Sequence, residues 1–273
     1  DSPTLAAAQR ALEDERDQTL ATEALRQVLA RPGLRSDLQD QGQTLVGDAI
    51  HVISDPPDKW LQRGDQLLGV AQALRQLIDS AEHEVVLVSP YFVPGRRGLR
   101  WLQALEARGV RVRVLTNCLN ATDVAAVHGG YARYRRALLR AGVEIHELKR
   151  SSALPLESSF RGSSRASLHT KAVIVDGRAA FVGSFNLDPR STWINTEMGV
   201  LIDSADFAAQ VRADYLANLT PERSYRLSLE GPRLVWTDVQ NGQPRRQYRE
   251  PTSSWSRRII ALLARVLPVE RHL

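Results

Sequence analysis

The chain of 273 residues has one cysteine, Cys118, and one methionine, Met198. A lone thiol excludes an internal disulfide and a zinc–thiolate cluster. No stretch approaches the roughly 20 consecutive apolar residues that a membrane-spanning helix needs. Lysine is nearly as scarce: Lys59, Lys149 and Lys171 are the only three among 36 basic residues, the other 33 being arginine. Because Met198 is the only methionine and Asp1 is not the small residue that follows a removed initiator, the chain reads as a fragment or a processed product.

What is present is ordinary globular composition, 43% apolar and 25% charged, with a length that suits one large domain or two small ones. Charge is distributed unevenly. Residues 221–273 hold ten arginines against five acids, whereas residues 1–220 hold 26 basic and 26 acidic residues, so the whole net charge of +5 sits in the tail. A basic tail suits an anionic partner, lipid headgroups or nucleic acid, or is simply a solvated arginine-rich surface.

Periodicity and punctuation predict a helix over 3–30, capped by Ser2 and stopped at Pro32-Gly33. Strands are expected at Ile50–Ile53, Val85–Val88, Val110–Leu115, Val143–Leu148, Leu168–Val175, Ala179–Val182 and Met198–Ile202. Between them lie expected helices at Gln66–Ala81, Leu99–Ala107, Tyr131–Arg140 and Phe207–Leu219. His128-Gly129-Gly130 reads as a tight turn, and the Ser- and Arg-rich stretch 151–167 as a loop beside the site. A tail meander covers Tyr225–Leu229, Leu234–Val239 and Arg246–Arg249. Short β-branched runs alternating with amphipathic helices argue for an α/β sandwich around a largely buried sheet.

Chemistry concentrates after Leu168. Residues two apart on a strand share a face, so His169 and Lys171 are expected to project together. An imidazole beside a fixed cation suits phosphoryl chemistry without a metal. A compact ammonium, in a chain that otherwise writes arginine, fits that role. Past the Asp176-Gly177 hairpin signal, Ser184 and Asn186 repeat the two-residue spacing and are expected to bring hydrogen-bond donors to the same sheet end. Glu197 is placed to fix the imidazole tautomer, or closes a surface ion pair. Tyr91 and Phe92 read more readily as core aromatics than as substrate contacts; Arg96, Arg97, Arg161 and Arg165 either face an anionic headgroup or are solvated.

The spacing His169-x-Lys171-(x)4-Asp176-(x)6-Gly183-Ser184-x-Asn186, with Glu197 28 residues after His169, resembles the HKD signature of the phospholipase D superfamily. The segments Ser54-Asp55-Pro56-Pro57, Ser89-Pro90-Tyr91-Phe92-Val93-Pro94 and Leu267-Pro268-Val269-Glu270 are similar to the second half of bacterial cardiolipin synthases that carry two such motifs. The resemblance implies a phospholipase D-like α-β-α sandwich with a mixed sheet, plus a short C-terminal β-meander and amphipathic helix. It implies three regions: 1–42, a helix and linker from a preceding half; 43–220, the HKD domain; and 221–273, a basic extension.

It also implies a reaction in which two HKD motifs meet. One histidine attacks the phosphodiester phosphorus and the other serves as general acid and base, while lysines and asparagines stabilise the oxyanion without metal or cofactor. His169, Lys171, Ser184, Asn186, Glu197 and Asp176 are the implied site residues, Asp176 with a structural role and His169 as acid/base. The implied function is phosphatidyl transfer of cardiolipin-synthase type, with phosphatidylglycerol and also phosphatidylethanolamine as substrates, a membrane surface as partner and nucleic acid disfavoured. Peripheral placement on the cytoplasmic face of a bacterial membrane follows. The alternatives are a hydrolase or nuclease using water, and a non-catalytic membrane-binding lobe.

One departure stands out. His51, His83, His128, His146 and His272 all lack a lysine two residues on, so the second motif belongs to another part of a longer chain or to a second copy. Separately, Trp255–Leu267 carries Ile259, Leu262, Leu263 and Val266 at helical spacing with Arg257, Arg258 and Arg265 elsewhere. Such a helix lies in a membrane interface or docks on its own domain, and the sequence leaves both open.

Overall fold

The computed structural model describes residues 49–61, 67–150, 168–251 and 253–266. The helix expected at 3–30, the loop 151–167 with Arg161 and Arg165, and the segment Leu267–Glu270 lie outside the described residues.

Among the described residues ten strands form one sheet: β1 (Ala49–Ser54), β2 (Glu84–Val88), β3 (Arg111–Asn117), β4 (Glu144–Leu148), β5 (Ala172–Val175), β6 (Ala179–Gly183), β7 (Met198–Asp203), β8 (Ser224–Glu230), β9 (Arg233–Gln240) and β10 (Gln243–Gln247). Their order across the sheet is β1-β7-β6-β5-β2-β3-β4-β8-β9-β10. Only β2–β3 and β3–β4 pair in parallel; every other pairing is antiparallel, so the sheet is mixed. The helices are α1 (Gly69–Asp79), α2 (Gly95–Ala107), α3 (Ala125–Ala132), α4 (Arg135–Ala141), α5 (Pro189–Trp193), α6 (Ala205–Ala217) and α7 (Trp255–Val266).

Period-2 alternation explains the layers. Val85, Leu87, Val112, Val114, Ile145, Val173, Val175 and Phe181 form one buried cluster with Leu74 and Ile78 of α1, Leu102 and Leu105 of α2 and Leu138 of α4. Val88, Leu115, Ala172 and Val182, out of phase with that set, line a small cleft with Val211 and Tyr215 of α6. Both faces of β2 and β5 are therefore covered, which is why these strands read as unbroken apolar runs rather than alternating ones. The architecture is the expected α-β-α sandwich. The tail strands β8, β9 and β10 form the expected antiparallel meander, which continues the main sheet outward from β4.

Two expected elements differ in extent, each for a local reason. The strand expected from Leu168 begins only at Ala172, because the Leu168 backbone is held by a side chain instead of a ladder. Its N–H donates to Asn117 Oδ1 at 2.9 Å and its carbonyl accepts from Asn117 Nδ2 at 3.1 Å. The helix expected at Tyr131–Arg140 is two helices, α3 and α4, and His128-Gly129-Gly130 is helical rather than a turn. Gly129 is glycine because α7 crosses it: a Cβ there would lie 2.3 Å from the Ala261 carbonyl oxygen.

A buried charge network joins the tail to the sandwich. Glu147 on β4, fully buried, accepts from Arg135 Nη1 and from Trp236 Nε1, both at 2.9 Å. Arg135 also donates to Glu250, whose Oε1 is 2.6 Å from His128 Nε2. Burial pushes the Glu250 carboxyl up, but Arg135 and His128 outweigh it and hold it well below the usual carboxylate range. His128, Glu147 and Glu250 bring their ligand atoms within 4.8 Å of one another. Arg135 is ion-paired to both carboxylates and supplies the positive charge there.

Candidate active site

The two positions of the hairpin motif with most chemical promise come together at one end of β5. His169 is exposed, and Lys171 is half-buried with its Nζ donating to the His169 carbonyl at 2.8 Å. The Asn117 clamp on Leu168 and the bond from Gly183 N–H to the Lys171 carbonyl (3.2 Å) hold this short segment from both sides. Burial lowers the pKa of the Lys171 ammonium, while Glu197, Asp123 and Asp188 nearby resist the change. Three carboxylates thus lie within electrostatic reach of the one lysine of the motif.

Glu197 lies beneath this group, buried, at the entry to β7. One of its carboxylate oxygens accepts from the Ser184 hydroxyl; the other accepts from Ser191 Oγ at 2.8 Å and from Asn195 Nδ2 at 3.3 Å. Its own backbone N–H donates to Asp55 Oδ2 at 3.0 Å, and Asp55 N–H donates to the Glu197 carbonyl at 2.8 Å. Asp55 in turn accepts from Lys59 Nζ at 2.5 Å and from the Val70 N–H at 2.9 Å. Lys59, also buried, reaches the Ser191 carbonyl at 2.6 Å. Every polar atom of the Asp55–Lys59 pair therefore faces a partner, the condition under which a buried ion pair is tolerated.

This arrangement revises two expectations. Among the described residues no hydrogen bond reaches the His169 ring, and the Glu197 carboxylate is directed at two hydroxyls and an amide instead of the imidazole. A hydroxyl carries one proton, and that of Ser184 is donated to Glu197 while its oxygen accepts from the Met198 N–H at 3.0 Å. In Asn186 the backbone N–H donates to Ser191 Oγ at 3.2 Å, and the side-chain Oδ1 is buried without a partner among the described residues.

Asp176 sits at the opposite end of β5. Its carboxylate accepts from the backbone N–H groups of Glu82 (2.9 Å), His83 (2.8 Å) and Glu84 (2.7 Å). Burial pushes this carboxyl up, but the three N–H donors prevail and its pKa is lowered. It fastens the β5–β6 turn, where both Asp176 and Gly177 have positive φ, to the start of β2.

Two further polar residues of the neighbourhood, Tyr91 and Asp123, are far away in sequence, and a third, Asp188, follows the motif directly. Tyr91 Oη donates to Asp123 Oδ1 at 2.6 Å, and burial with that bond pushes the phenol pKa upward. Phe92 is core, packed on Tyr131. Asp188 caps α5 by accepting from the Ser191 N–H at 2.7 Å, and burial pushes its carboxyl up to about 6. The Asp188-Pro189 pair is a cap-then-proline signal for this short helix that the sequence reading passed over. Arg96 and Arg97 are exposed in the first turn of α2. Cys118 is buried, which pushes its thiol up to about 11 and leaves it inert.

Residues 74–218 match the family model described as "Cardiolipin synthase, PLD-like domain". The chain is 37% identical over 238 residues to cardiolipin synthase C of Escherichia coli (strain K12), covering 85% of this chain and 50% of that protein. It is 34% identical over 151 residues to cardiolipin synthase A of Pectobacterium carotovorum, covering 54% of this chain and 28% of the relative. The chain thus spans about half the length, or less, of the curated relatives it matches. Among solved structures, the phospholipase D family member Nuc from Salmonella typhimurium aligns at 18% identity and a TM-score of 0.46, covering 66% of this chain and 99% of that one. With the family model spanning more than half of its residues, the chain belongs to the phospholipase D-like domain family of the cardiolipin synthases.

Proposed function

We propose that this chain supplies one of two HKD halves of a phosphatidyltransferase that joins phospholipids through a phosphohistidine. The observation that carries the reading is the placement of His169, Lys171 and Asn186 at the same end of the β5–β6 hairpin, where Ser184 bonds to the buried Glu197. In the first step the histidine of the other half attacks phosphorus. The P–O bond to the leaving alcohol breaks, and His169 in its imidazolium form gives that alcoholate a proton. In the second step neutral His169 takes the proton of an incoming hydroxyl, whose oxygen bonds to phosphorus as the phosphorus–nitrogen bond breaks; this frees the imidazole of the other half and leaves His169 as imidazolium again. Lys171 faces the phosphoryl oxygens as a partly desolvated point charge, and the Asn186 amide adds a donor.

Glu197 and the Ser184 hydroxyl keep the β6 and β7 ends in register beneath the reacting atoms. The acceptor is the hydroxyl of phosphatidylglycerol and the donor a second glycerophospholipid, phosphatidylglycerol or phosphatidylethanolamine, met at the surface of a bacterial membrane. His169 is exposed, so the other half must cover it if water is to be kept from competing with the lipid hydroxyl.

The test is product analysis with the full-length protein, phosphatidylglycerol vesicles and a labelled donor, in the presence of a chelator. Diphosphatidylglycerol is the expected product, and the chelator is expected to leave its rate unchanged. Phosphatidic acid alone assigns hydrolysis instead. Absence of any lipid product from a folded protein contradicts an enzymatic role.

A further inference from the structure

Helix α7 is mounted with its small side chains inward and its large apolar side chains outward. At about 100° per residue, Ala261, Ala264 and Arg257 share one arc, and the two alanines are buried against α3, where Gly129 lets the backbones approach. The opposite arc holds Trp255, Ile259, Leu262, Leu263 and Val266. Trp255 is 78% exposed, Leu262 58%, Leu263 54% and Val266 73%. A helix that merely closes a core buries its leucines and shows its alanines; this one does the reverse.

The orientation is fixed by bonds to backbone carbonyls at both ends. Arg257 Nε donates to the Leu119 carbonyl at 3.1 Å and Nη2 to that of Thr122; Arg133 Nε donates to the Arg265 carbonyl at 2.9 Å. Arg258 donates to the Glu250 carbonyl at 2.8 Å, and the Glu250 carboxylate is itself held by Arg135 and His128. The helix is therefore held in place while its apolar face points away from the domain.

The charge beside that face has one sign. Trp255–Val266 contains three arginines and no acid, and Arg258 and Arg265 flank one side of the apolar arc. Burial lowers the pKa of Arg265, and the guanidinium groups of Arg136, Arg135 and Arg133 lower it further against the opposing pull of the Glu250 carboxylate. A contiguous apolar stripe edged by arginines and led by a tryptophan matches the acyl–headgroup boundary of an anionic bilayer. The side chains enter the apolar region while the guanidinium groups meet phosphates.

We propose that α7 is a preformed membrane-docking surface for anionic phospholipid. It lies in the interface with Trp255, Ile259, Leu262, Leu263 and Val266 immersed, and Arg258 and Arg265 at headgroup level. This inference stands on the mounting of the helix and does not depend on the chemistry proposed for His169.

The experiment uses the full-length protein with vesicles of phosphatidylglycerol in phosphatidylcholine, and of phosphatidylcholine alone. Readouts are co-sedimentation and quenching by brominated lipid of the Trp255 emission, obtained as the difference between wild type and Trp255→Phe. Binding to the anionic vesicles is expected to fall at least tenfold in Leu262→Glu/Leu263→Glu and several-fold in Arg265→Glu, with brominated lipid quenching Trp255. These positions are exposed, so an unchanged thermal transition verifies that the variants fold. Equal binding of variant and wild type overturns the proposal. So does a Trp255 that is shielded before lipid is added and is not quenched by it, which would mean that protein covers the stripe.

Discussion

The β6–β7 ladder beneath the site is closed by a glycine pair, Gly183 opposite Gly199, under the ring of Phe181. A Cβ on Gly199 would lie 2.3 Å from Phe181 Cζ, 2.5 Å from Cε2 and 2.8 Å from the Val182 carbonyl oxygen. Comfortable carbon–carbon contact is about 3.5–4.0 Å, so the ring must retreat by more than an ångström in a core that has Phe181 fully buried. Overpacking of this kind costs about 1–3 kcal/mol. Replacing a strand glycine by alanine otherwise gains about 0.5–1 kcal/mol, so the sign of the effect decides.

Gly199→Ala is expected to lower stability by about 1–2 kcal/mol, read as the shift of the urea midpoint at constant slope. Phe181→Leu withdraws the two ring atoms that meet the new methyl. Alone it costs about 1 kcal/mol or more; combined with Gly199→Ala it is expected to recover at least about 1 kcal/mol relative to the sum. A stabilised Gly199→Ala, or single effects that add within about 0.5 kcal/mol, would refute the claim that the ring and the glycine pair are fitted to one another.

Other consequences follow from the base of the site. Lys59→Met leaves Asp55 buried beside Glu197 without its cation and is expected to lower stability by about 3 kcal/mol or more in the same urea assay; a loss below about 1 kcal/mol would mean that the pair is effectively solvated. Asp188 has a folded pKa raised from 3.8 to about 6, so the stability associated with its neutral form is complete below pH 4 and is lost as pH rises through about 6. Asp188→Asn keeps a competent helix cap and lacks that titration. Its stability relative to wild type is therefore expected to improve between pH 4 and pH 7 by up to about 3 kcal/mol, and a pH-independent difference would contradict the assignment.

The part of the site that the sequence displayed is the part made by local geometry. His169, Lys171, Asp176, Ser184 and Asn186 lie on or next to one hairpin, whose Asp176-Gly177 turn brings the start of β5 beside the end of β6. The supporting layer was not legible because its partners are distant: Lys59 meets Ser191 across 132 positions and Glu197 N–H meets Asp55 across 142. Glu197 is legible as a participant, and its bonding partners are not. Its position in the chain says nothing of the hydroxyls of Ser184 and Ser191 that compete for a buried carboxylate.

The alternating strands and helices were evident from β-branched runs and amphipathic spacing. The two local misreadings have tertiary causes: the Asn117 side chain takes the Leu168 backbone out of the ladder, and α7 crossing α3 makes two glycines compatible with a helix. For α7 itself the apolar period was plain, yet periodicity shows only that a helix has an apolar face, not which way the rest of the protein turns it.

The most direct test of the central claim is the effect of His169→Asn on product formation by the full-length protein. The ring is exposed and among the described residues accepts and donates no hydrogen bond, so its replacement is expected to leave the unfolding midpoint unchanged. Loss of an acid/base imidazole is expected to lower the rate of diphosphatidylglycerol formation by about a hundredfold or more. A folded His169→Asn protein that retains its rate within a few-fold would contradict the account.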